Sequence, residues 1–207
     1  MTSPLDRREF LKQSGTLIVS FSAAGVVSRL GLDVASAQGI NGAPGADLDS
    51  WIAIGADGRV TAYTGKCEFG QGLFTAQTQL VAEELCVPID RVTLIQCDTQ
   101  LTPDQGTTSG AQSHPANFNK ANLAQAGATA REALVKLAAT KLGVAAAQLT
   151  VKDGIVSATS DASKRVSYAE LVGGKKFELK LDPNAKRRHP STWTVLGTPV
   201  KIGRAHV

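Results

Sequence analysis

The sequence predicts an α+β domain in which a mixed sheet of hairpins and strands is packed by two long helices. Short runs of β-forming residues recur beside Asp-Gly turns, which is typical of hairpins. Two longer stretches, residues 73–86 and 118–142, place their apolar residues at helical spacing. The chain has 207 residues, 43% of them hydrophobic, which is enough for one ordinary core.

In order from residue 51, the predicted elements are a strand at 51–54, a turn at 56–58, a return strand at 60–63, a helix from Gly72 to about Cys86, and a strand at 91–95. Pro88 ends the helix because proline has no N–H to continue it. A polar loop rich in Gly, Ser and Thr follows at 98–113, and loops of that length are usually either functional or disordered.

The second half has a helix at about 118–142 and then a hairpin at 149–157 with Asp153-Gly154 as its turn. Ser167 and Glu170 have the S-x-x-E spacing of a capping box, which predicts a short helix. No internal repeat is present in the sequence.

Residues 1–37 have the features of an export signal. The twin arginines Arg7 and Arg8 precede a weakly apolar stretch at 15–27, and Ala35-Ser36-Ala37 is a small-x-small cleavage site. The apolar stretch is too short and too mild for a stable membrane span. This order favours a leader over an ordinary amphipathic helix. We therefore expect export to the periplasm by the twin-arginine route, with residues 38–48 as a linker.

The charges and cysteines suggest neither nucleic-acid binding nor a metal site. The net charge is +4, and the only basic run, residues 186–189, has no interleaved aromatic residues and is predicted to be a solvated loop. The three cysteines, Cys67, Cys86 and Cys97, lack metal-ligand spacing. Export permits a disulfide, but their apolar or strand-like contexts favour small buried thiols.

The last six residues, 202–207, match what one frame of a widely used sequencing adapter encodes before a stop codon. We expect these residues to be adapter-derived and the natural chain to continue past Lys201. The alternative is that they are a real C-terminus.

Two segments have the composition of anion-binding loops. Gly70-Gln71-Gly72 precedes the first predicted helix, where glycines let backbone N–H groups approach a ligand and the helix dipole adds positive charge. Residues 107–113, a run of small and hydroxyl residues, precede the second. Alone, the first segment is more often a tight turn. Two such loops that converge on one ligand indicate a phosphate-bearing cofactor.

Four segments share the order and spacing of a known family: G-K-x-E-x-G-Q-G-x-x-T at 65–75, A-E-E-L at 82–85, R-V-x-x-x-x-x-D-T at 91–99 and G-T-x-x-G-x-x-S at 106–113. With residues 193–200, they resemble the molybdopterin-binding large subunit of the xanthine dehydrogenase family, of the isoquinoline 1-oxidoreductase beta-subunit type. The resemblance covers about residues 48–201. It implies that 49–201 are a truncated part of a larger molybdenum-cofactor-binding domain.

The resemblance implies an enzyme that hydroxylates an aldehyde or N-heterocycle with oxygen from water. Its molybdenum is held by a molybdopterin, usually the cytosine dinucleotide in bacteria, and electrons leave through a separate small subunit with two [2Fe–2S] clusters. Seven residues match its cofactor-binding positions: Gly70, Gln71, Gly72, Ser109, Gly110, Ala111 and Gln112.

The resemblance also implies that the catalytic base is a glutamate in a G-x-G-E context, which this sequence lacks. Glu68 is not that base, so the fragment alone is expected to be inactive. Cys67 departs from the family pattern, and Gln112 stands where an arginine is common, which removes a charged clamp. One alternative is an exported α+β binding module without a redox cofactor, with 82–85 as helix surface. Another is a misassembled fragment that does not fold.

Overall fold

The computed structural model describes residues 16–20, 50–99, 101–102, 108, 123–173 and 177–200. Its strands are β1 (Thr16–Ser20), β2 (Ser50–Gly55), β3 (Val60–Thr64), β4 (Val92–Gln96), β5 (Leu149–Lys152), β6 (Ile155–Ala158), β7 (Arg165–Ser167) and β8 (Phe177–Lys180). Its helices are α1 (Leu73–Leu85), α2 (Leu123–Leu142) and α3 (Tyr168–Val172), with 3-10 turns at Ile89–Arg91, Ala146–Gln148 and Pro190–Thr192. The predicted α+β class with two long helices is confirmed.

The larger sheet has five strands in the order β4-β3-β2-β1-β8. β2 and β3 form the predicted antiparallel hairpin, and its turn contains Gly58 at φ 75°. β3 and β4 are parallel neighbours. Parallel strands need a crossover, and α1 provides it. The loops that follow β3 and β4 therefore leave the same edge of the sheet.

β1 lies inside the segment that the sequence assigns to the export leader. It pairs antiparallel with β2 and parallel with β8, so it is an interior strand. A chain cleaved after Ala37 would lack this strand. The twin arginines, the cleavage site, the linker, residues 118–122 and the tail at 202–207 lie outside the described residues.

The smaller sheet has three strands in the order β5-β6-β7. The predicted hairpin turn is confirmed, since Asp153 (φ 53°) and Gly154 (φ 74°) both take the left-handed conformation. The capping box is also confirmed: the Ser167 side chain accepts the Glu170 N–H, and the Glu170 carboxylate accepts the Ser167 N–H.

α1 and α2 pack against each other at very close range. The contact is close because Gly127 of α2 has no side chain: a Cβ built there would lie 2.9 Å from the Cβ of Glu84 on α1. One main apolar core joins both helices to the sheets, with Ile52, Ile54, Val81 and Leu134 among its fully buried members. The buried Tyr168 hydroxyl donates to the Leu85 carbonyl, which ties α3 to the end of α1.

The C-terminal end of α1 carries two adjacent glutamates that are completely buried, Glu83 and Glu84. The Glu84 carboxylate lies 2.9 Å from Nη1 of Arg131 on α2 and 3.2 Å from Nε of Arg187. It also accepts the backbone N–H of Arg188. One carboxylate thus pairs with two largely buried arginines from distant parts of the chain.

The Glu83 carboxylate is satisfied mainly by backbone. Its Oε2 accepts the N–H groups of three successive residues, Thr194, Val195 and Leu196, at 2.6–3.0 Å. Its Oε1 lies 3.0 Å from Nη1 of Arg188. The prediction that residues 186–189 form a solvated loop is therefore wrong for Arg187 and Arg188, because both side chains pair with carboxylates inside the fold. Treating 82–85 as helix surface is likewise wrong.

We expect Glu84→Gln to destabilise the protein by about 3–5 kcal/mol, because the neutral amide removes the charge that pairs with two largely buried guanidinium groups. The measurement is the free energy of unfolding from urea denaturation. Glu132→Gln is the matched control. The Glu132 carboxylate accepts one backbone N–H, from Lys186, in an exposed contact, so the loss there should be about 1 kcal/mol or less. Equal losses in the two variants would contradict the role given to Glu84.

Candidate functional site

Two loops meet where β3 and β4 end. The glycine loop, residues 65–72, joins β3 to α1, and the polar loop, residues 98–113, follows β4. Thr108 is the one residue described between 103 and 122, and its Oγ1 accepts the N–H of Cys67 at 2.9 Å. The two predicted loops therefore touch, at the carboxyl ends of adjacent parallel strands, where open sheets commonly bind ligands.

Glu68 organises the glycine loop. Its Oε1 accepts the N–H groups of Gly70 and Gly72 at 2.6 and 3.0 Å, and its Oε2 accepts the N–H of Phe74 at 2.8 Å. The hydrogen bond from Phe74 is the main cause of a lowered pKa of this carboxyl; those from Gly72 and Gly70 act the same way, and desolvation opposes them. The anion at the N-terminus of α1 is thus the protein's own carboxylate.

Gly70 and Gly72 hold the loop in left-handed turns. Their φ angles are 96° and 78°, which side-chain-bearing residues rarely adopt. A Cβ built at either position meets nothing within 4 Å, and both residues are exposed. The backbone of the loop therefore presents an open surface on which a ligand can lie directly against the main chain.

Gln71 lies between the two glycines and braces the loop. Its Nε2 donates to the Cys67 carbonyl at 2.9 Å, and its Oε1 accepts the N–H of Phe69. A side-chain amide has two donor hydrogens and two acceptor lone pairs. Each end of the exposed Gln71 amide therefore keeps capacity for one further hydrogen bond.

Cys67 and Cys97 form a disulfide with a Cα–Cα distance of 5.4 Å. The prediction of buried thiols is wrong for these two residues, because Cys67 is only half-buried and Cys97 is exposed. Both follow the ends of neighbouring parallel strands, which places them side by side although they are 30 residues apart in sequence. Cys86 is a free, half-buried thiol, and desolvation raises its pKa despite the nearby Arg188 and Arg131.

Of the seven predicted cofactor-binding residues, the structure places Gly70, Gln71 and Gly72 together on the exposed face of the glycine loop. The other four, Ser109, Gly110, Ala111 and Gln112, lie outside the described residues. Sequence reasoning missed Glu68 as the loop's organiser. A carboxylate just ahead of a helix start was the available signal, because orphan N–H groups there seek an acceptor.

Among the described residues, three buried side-chain oxygens accept no hydrogen bond: Oε1 of Gln77 on α1, Oε1 of Gln96, the last residue of β4, and Oε1 of Glu83, which is ion-paired with Arg188. Gln96 is paired in register with Thr64 and so lies at the sheet edge from which both loops leave. Within the described segments, no group of three or more His, Cys, Asp or Glu residues is placed to hold a metal ion. None of the helices in the same segments has the length and apolar character needed to span a membrane.

Comparison with known proteins gives one family. A model of the molybdopterin cofactor-binding domain matches residues 17–195. A subunit of nicotinate dehydrogenase from Pseudomonas putida is 34% identical over 151 residues, which are 73% of this chain and 12% of that protein. The beta subunit of isoquinoline 1-oxidoreductase from Brevundimonas diminuta is 33% identical over 184 residues, 83% of this chain and 22% of that protein.

The solved structure of CO dehydrogenase from Oligotropha carboxidovorans superposes with a TM-score of 0.50 at 27% identity, over 58% of this chain and 15% of that one. The chain thus spans less than a quarter of the length of each of these relatives.

We expect Glu68→Gln to loosen the start of α1, because an amide offers one acceptor oxygen where the carboxylate has two and turns its NH2 towards N–H donors. A carboxyl with a lowered pKa contributes its full stability above the unfolded-state value near 4.5 and loses it as the pH falls through the folded-state value. The wild-type advantage over Glu68→Gln in the urea midpoint should therefore shrink from pH 7 towards pH 3. Asp90→Asn, at an exposed carboxylate, is the control. A wild-type advantage that stays constant with pH would argue against this role.

Proposed function

This chain belongs to the molybdopterin cofactor-binding domain family, and from that membership we propose that the glycine loop and the polar loop form one wall of a molybdenum–pterin site in an oxidoreductase. The observation that carries the proposal is the hydrogen bond from Cys67 to Thr108, which joins the two loops at the carboxyl ends of β3 and β4. A site formed by two loops from adjacent parallel strands is held by a rigid sheet.

The geometry of the glycine loop suits contact with the uncharged, hydrogen-bonding edge of the cofactor better than contact with its phosphate. The N–H groups of Gly70, Gly72 and Phe74, which a phosphate would need, already donate to the Glu68 carboxylate. What remains is the backbone at the two glycines and the unused donor and acceptor of Gln71. These groups suit a planar ligand with alternating donors and acceptors, such as a pterin.

A bound molybdenum–pterin group supplies the oxidation–reduction chemistry that side chains lack. The part of this chain is to hold and orient it: Gln71 by its amide, Gly70 and Gly72 by leaving the main chain open. We extend the same role to Ser109, Gly110, Ala111 and Gln112 of the polar loop.

For the whole enzyme we propose hydroxylation of an aldehyde or N-heterocycle with oxygen from water. Two relatives are named for N-heterocycles, nicotinate and isoquinoline, which favours that class. We further propose the cytosine dinucleotide form of the cofactor, a separate [2Fe–2S] subunit as electron acceptor, and a base glutamate outside residues 1–207. Residues 38–201 alone are then expected to be inactive, since positioning by a complete pocket can supply roughly 7–11 kcal/mol of barrier reduction.

We also propose export by the twin-arginine route, which carries folded, cofactor-loaded proteins. The position of β1 argues against removal of the leader during export. Cleavage after Ala37 would remove an interior strand and leave β2 and β8 with unpaired edges. We therefore propose that the exported protein keeps β1. The match of the family model from residue 17 onward supports this, since it includes four of the five residues of β1.

In the full-length enzyme, Gly72→Val should lower the molybdenum content of the purified protein, because it places a branched side chain where the cofactor meets the backbone. Gly143→Val is the matched control. Gly143 also has a left-handed φ, 64°, and open space around an added Cβ, but it follows the end of α2. Both variants should lose about 1–2 kcal/mol of stability from the backbone conformation. Equal molybdenum loss in both would overturn the site assignment.

Arg7→Lys together with Arg8→Lys should keep the charge but abolish periplasmic delivery, because a receptor reads the pair as an address. The measurement is the amount of protein in periplasmic and cytoplasmic fractions. The intact mass of the exported wild-type protein tests the second part: a chain that starts at Gln38 would show that β1 is removed. Unchanged periplasmic yield of the double variant would contradict the route itself.

A further inference from the structure

We propose that Cys67 and Cys97 are a thiol modification site whose oxidation to the disulfide fixes the glycine loop in the shape that accepts a ligand. The bond itself is independent of the proposed function. Only its expected effect on molybdenum retention rests on that function, and the experiments below separate the two.

The topology brings the two sulfur atoms together, with Cys97 in a left-handed turn (φ 54°) at the end of β4. β3 and β4 are parallel neighbours in register from Val60–Val92 to Thr64–Gln96, and Cys97 directly follows the second strand. The Cys97 N–H donates to the Thr64 carbonyl at 3.1 Å, so the register continues to the cysteine itself. The Cα–Cα distance of 5.4 Å is in the usual range for a disulfide.

Cys67 is the residue on which the loop contacts converge. Its N–H reaches Thr108 of the polar loop, its carbonyl accepts the Gln71 amide, and its sulfur is bonded to Cys97. Only the last of these contacts is covalent, and the hydrogen bonds of Gln71 are in an exposed position. The disulfide therefore sets the position of Cys67 relative to the sheet, and the other contacts orient both loops around it.

The free cysteine provides an internal reference. Cys86 lies at the other end of α1, and its Sγ is 3.2 Å from Nη1 of Arg188. Desolvation raises its pKa, which makes it a poor thiolate at neutral pH. Cys97, by contrast, is exposed, so an external thiol or disulfide can reach its sulfur for thiol–disulfide exchange. An oxidant that reaches this chain should act on the Cys67–Cys97 pair and leave Cys86 reduced.

The reaction is thiol–disulfide exchange with an external disulfide, either a small molecule or a dithiol oxidase. One thiolate attacks the external disulfide and forms a mixed disulfide with release of one thiol. The second cysteine then displaces the other thiol and forms the S–S bond. The two cysteines lose two electrons and two protons, and the external disulfide gains both as two thiols.

The first test maps the thiols of the full-length protein purified without reductant. After denaturation in iodoacetamide, mass spectrometry should find Cys86 labelled and the peptides of Cys67 and Cys97 joined. Treatment with dithiothreitol before labelling should release both. Labelling of all three cysteines without reductant would overturn the proposal.

The second test follows hydrogen exchange at residues 65–72, with and without dithiothreitol. The N–H groups of Cys67, Phe69, Gly70 and Gly72 all donate to side chains within the two loops, so their exchange reports loop order directly. We expect reduction of the disulfide to speed hydrogen exchange at these N–H groups roughly tenfold. That change corresponds to a modest part of the stabilisation that a disulfide usually contributes. Cys97→Ser should show the fast exchange with or without dithiothreitol, and Cys86→Ser should behave as the wild type does. Unchanged exchange on reduction would overturn the role given to the bond.

Loss of molybdenum during dialysis is the third readout. Cys97→Ser should lose the metal faster than Cys86→Ser. Hydrogen exchange in the loop can respond to dithiothreitol while neither variant binds molybdenum. In that case the proposed function fails and the disulfide's role in the loop stands. If the metal is bound and its loss is the same in both variants, the loop is fixed by its hydrogen bonds, and the proposal is wrong.

Discussion

The burial of two adjacent carboxylates at the end of α1 is the constraint on which the arrangement of the rest of the chain depends. An unpaired buried charge costs several kcal/mol, so Glu83 and Glu84 need partners inside the fold. α2 supplies Arg131, and the segment after β8 supplies Arg187 and Arg188 together with the backbone N–H groups of 194–196. These contacts hold α2 and the C-terminal segment against the same end of α1. The close approach at Gly127 follows from this, because a larger residue there would separate Glu84 from Arg131.

The two ends of α1 are fixed in opposite ways. At its C-terminal end the helix dipole disfavours Glu83 and Glu84, and the three arginines compensate for both the dipole and the burial. At its N-terminal end the dipole favours Glu68, which accepts the orphan N–H of Phe74 in the first turn and those of Gly70 and Gly72 just before the helix. A helix anchored at both ends is a rigid base for the glycine loop. A loop that binds a ligand through its backbone needs such a base, since small displacements remove hydrogen bonds.

Features with local signals were predictable from the sequence, and those set by distant partners were not. The Asp153-Gly154 turn, the Ser167 capping box and the bounds of α1 depend on residues within a few positions of one another. The buried role of Glu83 and Glu84 depends on arginines 47 and more than 100 residues away, so the pair looks like an ordinary helix surface in sequence. The disulfide was missed because an odd cysteine count and a gap of 30 residues carry no pairing information. The strand β1 was not predicted, because a short apolar stretch behind twin arginines has the same composition as an interior strand.

Two exposed aromatic side chains beside the glycine loop bear on how the proposed site is completed. Phe69 is 77% exposed and Phe74 is 45% exposed, and they lie on either side of the two glycines. Aromatic side chains held in water beside open backbone are typical of a surface that a ligand or another part of a protein covers. A stand-alone binding module would gain nothing from that exposure. A wall of a larger pocket needs it, because the same aromatic surface that is unfavourable in water excludes water once the pocket closes. The placement of Gln71 between these two phenylalanines therefore favours a cofactor site completed by the rest of a longer enzyme, in keeping with the small share of its relatives that the chain spans.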